Sequence, residues 1–192
     1  MKVYRKDIEQ LKALNDLLYD LIEKYYPEYD QDSFEQLDLV TQTFVLIVDA
    51  DGQINNGGII QFIDNGTGNR FHETIEAAER IKHDGFSDML NRAAKQFPNE
   101  QIPKDWDYRR WVWDELMQHH TTSTPFNKID EEAKKRVLKT INHSTSIDNL
   151  SFVEEDEWCK VWDELDAWYY ANIHSIYQNL IDYLKVNATL ID

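Results

Sequence analysis

The sequence predicts an all-α fold: a single compact domain over residues 1–192, with about seven or eight helices and a long C-terminal helix. Three observations predict it. Apolar residues return at steps of three and four over most of the chain. No stretch shows the clean period of two that a half-buried strand needs. Proline, glycine and amide clusters punctuate the periodic stretches. A chain of 192 residues with 42% hydrophobic and 12% aromatic content can bury a real core and is too apolar to stay disordered.

Ile8, Leu11, Leu14, Leu18, Leu21, Ile22 and Tyr25 share one face of a helix over about residues 6–26, and Pro27 ends it. Gln31-Asp32-Ser33 reads as a loop and N-cap, with a second helix starting near Ser33. Phe44-Val45-Leu46-Ile47-Val48 alone fits a short buried strand. Continuous with Phe34, Leu37 and Val40, it reads as the end of a buried helix. Asn55-Asn56-Gly57-Gly58 is then a sharp turn, with a short helix starting at Gly57 or Gly58 and an Asn as its cap. Asn65-Gly66-Thr67-Gly68-Asn69 breaks that helix.

Phe71, Ile75, Ala78 and Ile81 mark the next helix, and Phe86, Met89, Leu90 and Ala93 another, closed by Pro98. Trp106, Arg109, Arg110 and Trp113 fit a helix after the Pro103 loop. Thr121-Thr122-Ser123-Thr124-Pro125 is a linker, residues 130–141 a short helix bearing Lys134, Lys135, Arg136 and Lys139, and residues 142–151 a polar loop. The last helix runs from about Glu154 to Val186, with Trp158, Trp162, Leu165, Ile173 and Leu180 expected in the core.

The net charge of −16 is uneven. Five Lys/Arg against eleven Asp/Glu give −6 over residues 1–50, and two against nine give −7 over residues 151–192. Such a chain repels phosphates and anionic lipid, so neither direct nucleic-acid binding nor membrane binding is expected. A basic protein partner fits the charge. The single cysteine, Cys159, allows no internal disulfide and suits a reducing compartment. No signal-peptide pattern and no apolar run of ~18 residues is seen, and the expected location is the cytoplasm.

The motifs that resemble chemistry fail in detail. Asp49-Ala50-Asp51-Gly52-Gln53-Ile54 looks like part of a calcium loop, but the first and twelfth ligand positions fall on Ile47 and Gly58. His72 and Glu76 share a helix face, and a zinc site needs further ligands. Gly66-Thr67-Gly68 lacks the strand and lysine of a phosphate loop. Cys159 sits among Glu154, Glu155, Asp156 and Glu157, which raise a thiol pKa. No catalytic residue, metal or cofactor is assigned, and no enzyme is expected. Asn55, Asn56, Gly57, Gly58 and Gln61 read as structural, the amides satisfying backbone groups at the turn.

Gln53 through Phe62, then Asp64-Asn65-Gly66 and Glu73-Thr74 to Ile81, resemble a bacterial domain-of-unknown-function family. Leu165-Asp166-Ala167-Trp168-Tyr169-Tyr170 is similar to that family's closing helix. The resemblance covers about residues 35–100 and 160–187, with residues 107–157 set apart as an insertion. The family's best-known member is an acidic, helical DNA mimic that dimerises and occupies the DNA-binding surface of a transcription regulator. The resemblance therefore implies an acidic protein that binds and inhibits a basic nucleic-acid-binding protein, and it allows a homodimer. The alternatives are another interaction module, such as a toxin-immunity protein, and a metal-dependent enzyme at His72 and Glu76.

Helical residues four apart stand ~6 Å apart along the axis, and DNA carries a phosphate every ~3.4 Å per strand. A carboxylate row can track every second phosphate. Asp16, Asp20 and Glu23 form one such row, which Asp30, Asp32, Glu35 and Asp38 extend. Asp163 and Asp166 belong to a second.

Overall fold

A computed structural model describes residues 1–9, 21–26, 33–97, 100–110 and 155–191. Strand β1 (Lys2–Tyr4) leads into helix α1 (Arg5–Glu9), and residues 21–25 form α2. A 3-10 turn at Phe34–Gln36 precedes α3 (Leu39–Asp64), and another at Gly66–Arg70 joins it to α4 (Phe71–Arg80). Helix α5 (Asp84–Ala94), a helical turn α6 at residues 106–110, α7 (Glu155–Asn187) and strand β2 (Thr189–Ile191) follow. The fold is nearly all-α, one compact domain closed by the long C-terminal helix.

Helix α3 is central because its sequence has no polar face along Phe44–Val48. These residues are buried all round, as an uninterrupted apolar run requires. Helices α4 and α5 are amphipathic and lay Phe71, Ile75, Ala78, Phe86, Met89 and Leu90 inward. Helix α7 crosses this layer antiparallel to both α3 and α5. Leu165, Tyr169, Ile176, Leu180 and Leu184 are buried along it. Phe62 stacks on Phe71 with centroids 5.3 Å apart, and Phe86 meets Tyr169 at 5.8 Å. Of the residues expected in the core, Trp162, Leu165 and Leu180 are buried and Ile173 is half-buried. Trp158 lies outside the described side chains, as do the linker and the helix expected at residues 130–141.

Three expectations change. The second long helix starts at Leu39, not near Ser33, whose side chain makes no capping bond. Asp38 has the extended backbone and the carboxylate that a cap needs, and it accepts from the Thr41 N–H at 3.0 Å and the Thr41 hydroxyl at 2.8 Å. Strands are also present: β1 and β2 pair in parallel, Lys2 with Thr189, Val3 with Leu190 and Tyr4 with Ile191. Three residues are too few to print a period of two. Finally, the amide-glycine segment is a kink inside α3, with helix on both sides.

Candidate functional site

The kink is localised by Gly58, whose φ of 77° and ψ of −178° only glycine adopts without strain. A Cβ there would also overlap the Asp166 carboxylate of α7. A break in a helix leaves N–H donors without carbonyls on one side and carbonyls without donors on the other. Asp166 Oδ1 accepts from the Ile59 N–H at 2.8 Å. The Tyr170 hydroxyl donates to the Ile54 carbonyl at 2.9 Å. Both repairs come from α7, one helical turn apart. The expected Asn cap is therefore replaced by an aspartate distant in sequence, whose charge suits a helix N-terminus better than an amide does. Burial lifts the Asp166 pKa above the usual carboxylate value, the Ile59 N–H opposes this, and Asp163 adds to it; the net shift is upward.

The amides serve side chains rather than the turn's backbone. Asn55 donates to Asp51 at 2.7 Å. Gln61 donates to Gln53 Oε1 at 3.2 Å, and Asn65 donates to the same oxygen. Asn56 is exposed, and its side chain makes no hydrogen bond among the described residues.

About two turns before the kink, Asp51 is buried between α3 and α7. Its Oδ1 accepts from the hydroxyls of Tyr169 and Tyr177 at 2.5 Å each, in addition to Asn55. Burial pushes the Tyr169 phenol far above its ordinary pKa, and the Asp51 charge pushes it further, so it stays a donor. The carboxylate that resembled a calcium ligand is a structural acceptor. Its neighbour Asp49 accepts from the Tyr26 hydroxyl.

Arg109 is a second buried charge, 1% exposed. Its guanidinium donates to the carbonyls of Pro103 (2.7 Å), Lys104 (3.2 Å) and Asn65 (3.0 Å) and to Asn69 Oδ1 (2.9 Å). Burial draws its pKa down to about 10, against the pull of Asp64 and Asp105. It thereby pins α6 to the loop after α3. His72 Nε2 lies 3.2 Å from the Ile102 carbonyl, and no three His, Cys, Asp or Glu side chains converge as a metal site among the described residues.

The acidic residues singled out from the sequence have different surroundings. Asp16, Asp20, Asp30 and Asp32 lie outside the described residues. Glu23 is exposed on α2 and forms no ion pair among them. Glu35 is exposed but paired with Arg70 at 2.8 Å, and that guanidinium lies 3.8 Å from the Phe34 ring centre. Asp163 is exposed and unpaired among the described residues, whereas Asp166 is half-buried and bonded to the kink. The sequence reading missed Asp84 and Asp88 on α5. Both are exposed, unpaired among the described residues and one turn apart. Their i, i+4 spacing, off the face of Phe86, Met89, Leu90 and Ala93, was the available signal. Helices α5 and α7 are joined by the Arg92–Glu164 ion pair at 2.9 Å.

A family model described as DMP19-like protein matches residues 35–142. The chain belongs to the DMP19-like family. That family carries the name of DNA mimic protein 19. The match contains the kink of this DMP19-like chain, Asp51, Arg109, Asp84 and Asp88, and it extends over part of the 107–157 stretch. It stops before α7, so Asp163 and Asp166 lie beyond it. No curated protein and no solved structure matches the chain. No helix among the described residues is long and apolar enough to cross a membrane.

Proposed function

We propose that this DMP19-like chain acts as a DNA mimic: it binds a basic nucleic-acid-binding protein, such as a transcription regulator, and inhibits it by occupying its nucleic-acid surface. The observation that carries the reading is the pair Asp84 and Asp88, exposed, free of ion pairs among the described residues and one turn apart on α5. At ~6 Å along the axis, they match every second phosphate of one strand. Among the described residues Asp163 also lacks an ion pair on α7, which packs on α5, and so does Glu23 on α2. Asp16, Asp20, Asp30, Asp32 and Glu35 remain part of the proposed surface, whereas Asp166 serves mainly the kink.

On this reading the chain acts by binding, not catalysis, and works in the cytoplasm. Its net charge of −16 keeps it off DNA itself and steers it toward a basic surface. The test is capture of the partner from cell extract, followed by binding measured against salt and against competing duplex DNA. Affinity should fall steeply with salt, and DNA should compete. Replacing Asp84, Asp88 and Asp163 together by Asn should weaken binding about tenfold or more with unchanged circular dichroism. A partner that holds DNA and this chain simultaneously overturns the mimic reading, and a toxin enzyme indifferent to DNA replaces it with an immunity role.

A further inference from the structure

The connection between α4 and α5 is fastened to α7 at His83. His83 stands at the N-terminus of α5, and its Nδ1 accepts from the Phe86 N–H at 3.0 Å. An imidazole nitrogen that accepts an N–H carries no proton. Its Nε2 lies 2.9 Å from Ser175 Oγ on α7. The Ser175 hydroxyl donates its one proton to the Asn172 carbonyl at 2.7 Å, so Ser175 Oγ must accept from His83. The Phe86 contact excludes a proton on Nδ1 and the Ser175 contact places one on Nε2, so together they specify the neutral ring with its proton on Nε2. The ring also sits edge-on to Trp168 and Phe86, with centroids 6.1 and 6.5 Å away. Beside it, Asn179 donates to the carbonyls of Ile81 (3.1 Å) and Lys82 (2.8 Å).

We propose that His83 is a proton-sensitive latch at the start of α5, braced against α7 through Ser175, closed while the ring is neutral and released from the Phe86 N–H when Nδ1 takes a proton. Protonation would turn Nδ1 into a donor facing the Phe86 N–H and would place a cation at the positive end of the α5 dipole. The latch stands independently of what the acidic faces bind, although α5 is the helix that carries Asp84 and Asp88.

The charged surroundings do not reverse this. On its own segment His83 is flanked by exposed Lys82 and Asp84. From α4, Arg80 is paired with Glu76, and Glu79 accepts from Ser87 at 3.4 Å. From α7, Asp182 is paired with Lys185, and His174 is exposed. Burial lowers the His83 pKa below 6.5, and the residue's own backbone and the Asp84 charge oppose that without cancelling it. The unfolded chain therefore takes the proton first. The latch's contribution to stability is complete above the ordinary histidine value and is lost as pH falls below it.

Imidazole nitrogen NMR on the whole protein tests the latch, with the His83 signals assigned by their loss in His83→Asn. At about pH 7.5 the ring should carry its proton on Nε2, and its titration midpoint should lie below 6.5. A proton on Nδ1, or a midpoint at or above 6.5, overturns the proposal. Asn can cap a helix but does not titrate. The melting temperature of the wild type should therefore drop further than that of His83→Asn between about pH 7.5 and about pH 5. Parallel losses in the two proteins also overturn it.

Discussion

Two carboxylates join α3 to α7 in opposite senses. Asp166 reaches from α7 to the backbone of α3, at Ile59. Asp51 reaches from α3 to the side chains of α7, at Tyr169 and Tyr177. The first joint is half-exposed and replaces something the kink removed. The second is buried and exists only because three donors converge on one oxygen. An aspartate of the first kind can be lost with one N–H turning to water. One of the second kind cannot be lost without stranding polar atoms in the core.

The largest effect is expected at the buried joint. Asp51→Ala leaves two phenols and the Asn55 amide without an acceptor, and it should lower stability by about 3–5 kcal/mol in denaturant titration. A loss under about 1 kcal/mol would mean that water replaces the carboxylate and that the two joints are alike.

Gly58→Ala comes next, at about 2–4 kcal/mol, from a backbone conformation that alanine resists and from overlap with Asp166. The two sources separate in a double mutant. In an Asp166→Ala background the Gly58→Ala loss should shrink, and strict additivity would exclude the overlap as a cause.

Asp166→Ala alone should cost the least, about 1–2 kcal/mol, the worth of an N-cap. Because burial raises its folded pKa, the native state binds the Asp166 proton more readily than the unfolded chain. This residue's share of stability therefore falls as pH rises through the window above 3.8, and Asp166→Ala should flatten that slope.

The sequence made the helices legible where apolar spacing was strict, as on α4 and α5, or where burial was unbroken, as at Phe44–Val48. The amide-glycine turn was visible from Gly57 and Gly58, but its cap was not. Ile59 and Asp166 are brought together only by the crossing of α3 and α7, which local spacing does not encode. Asp166 looked like a surface acid because its neighbours Asp163 and Glu164 are surface acids. Arg109 fits a helix with Trp106, Arg110 and Trp113, and only the carbonyls of Asn65, Pro103 and Lys104 reveal it as interior. Of the acidic residues proposed for a partner, Glu23 and Asp163 are exposed and unpaired among the described residues. Glu35 already has Arg70, a pairing between segments that charge counting cannot foresee.

The parallel pairing of β1 with β2 sets the order of events in time. Lys2 meets Thr189, so these two short strands close a loop of nearly the whole chain. Closing so long a loop brings little contact in return until the helices between are already packed. The pair is therefore expected to form after the rate-limiting step of folding. Whatever it contributes, including the complete burial of Val3, slows unfolding rather than speeding folding. In that order of events the clasp would set how long the folded chain lasts, not how fast it is made.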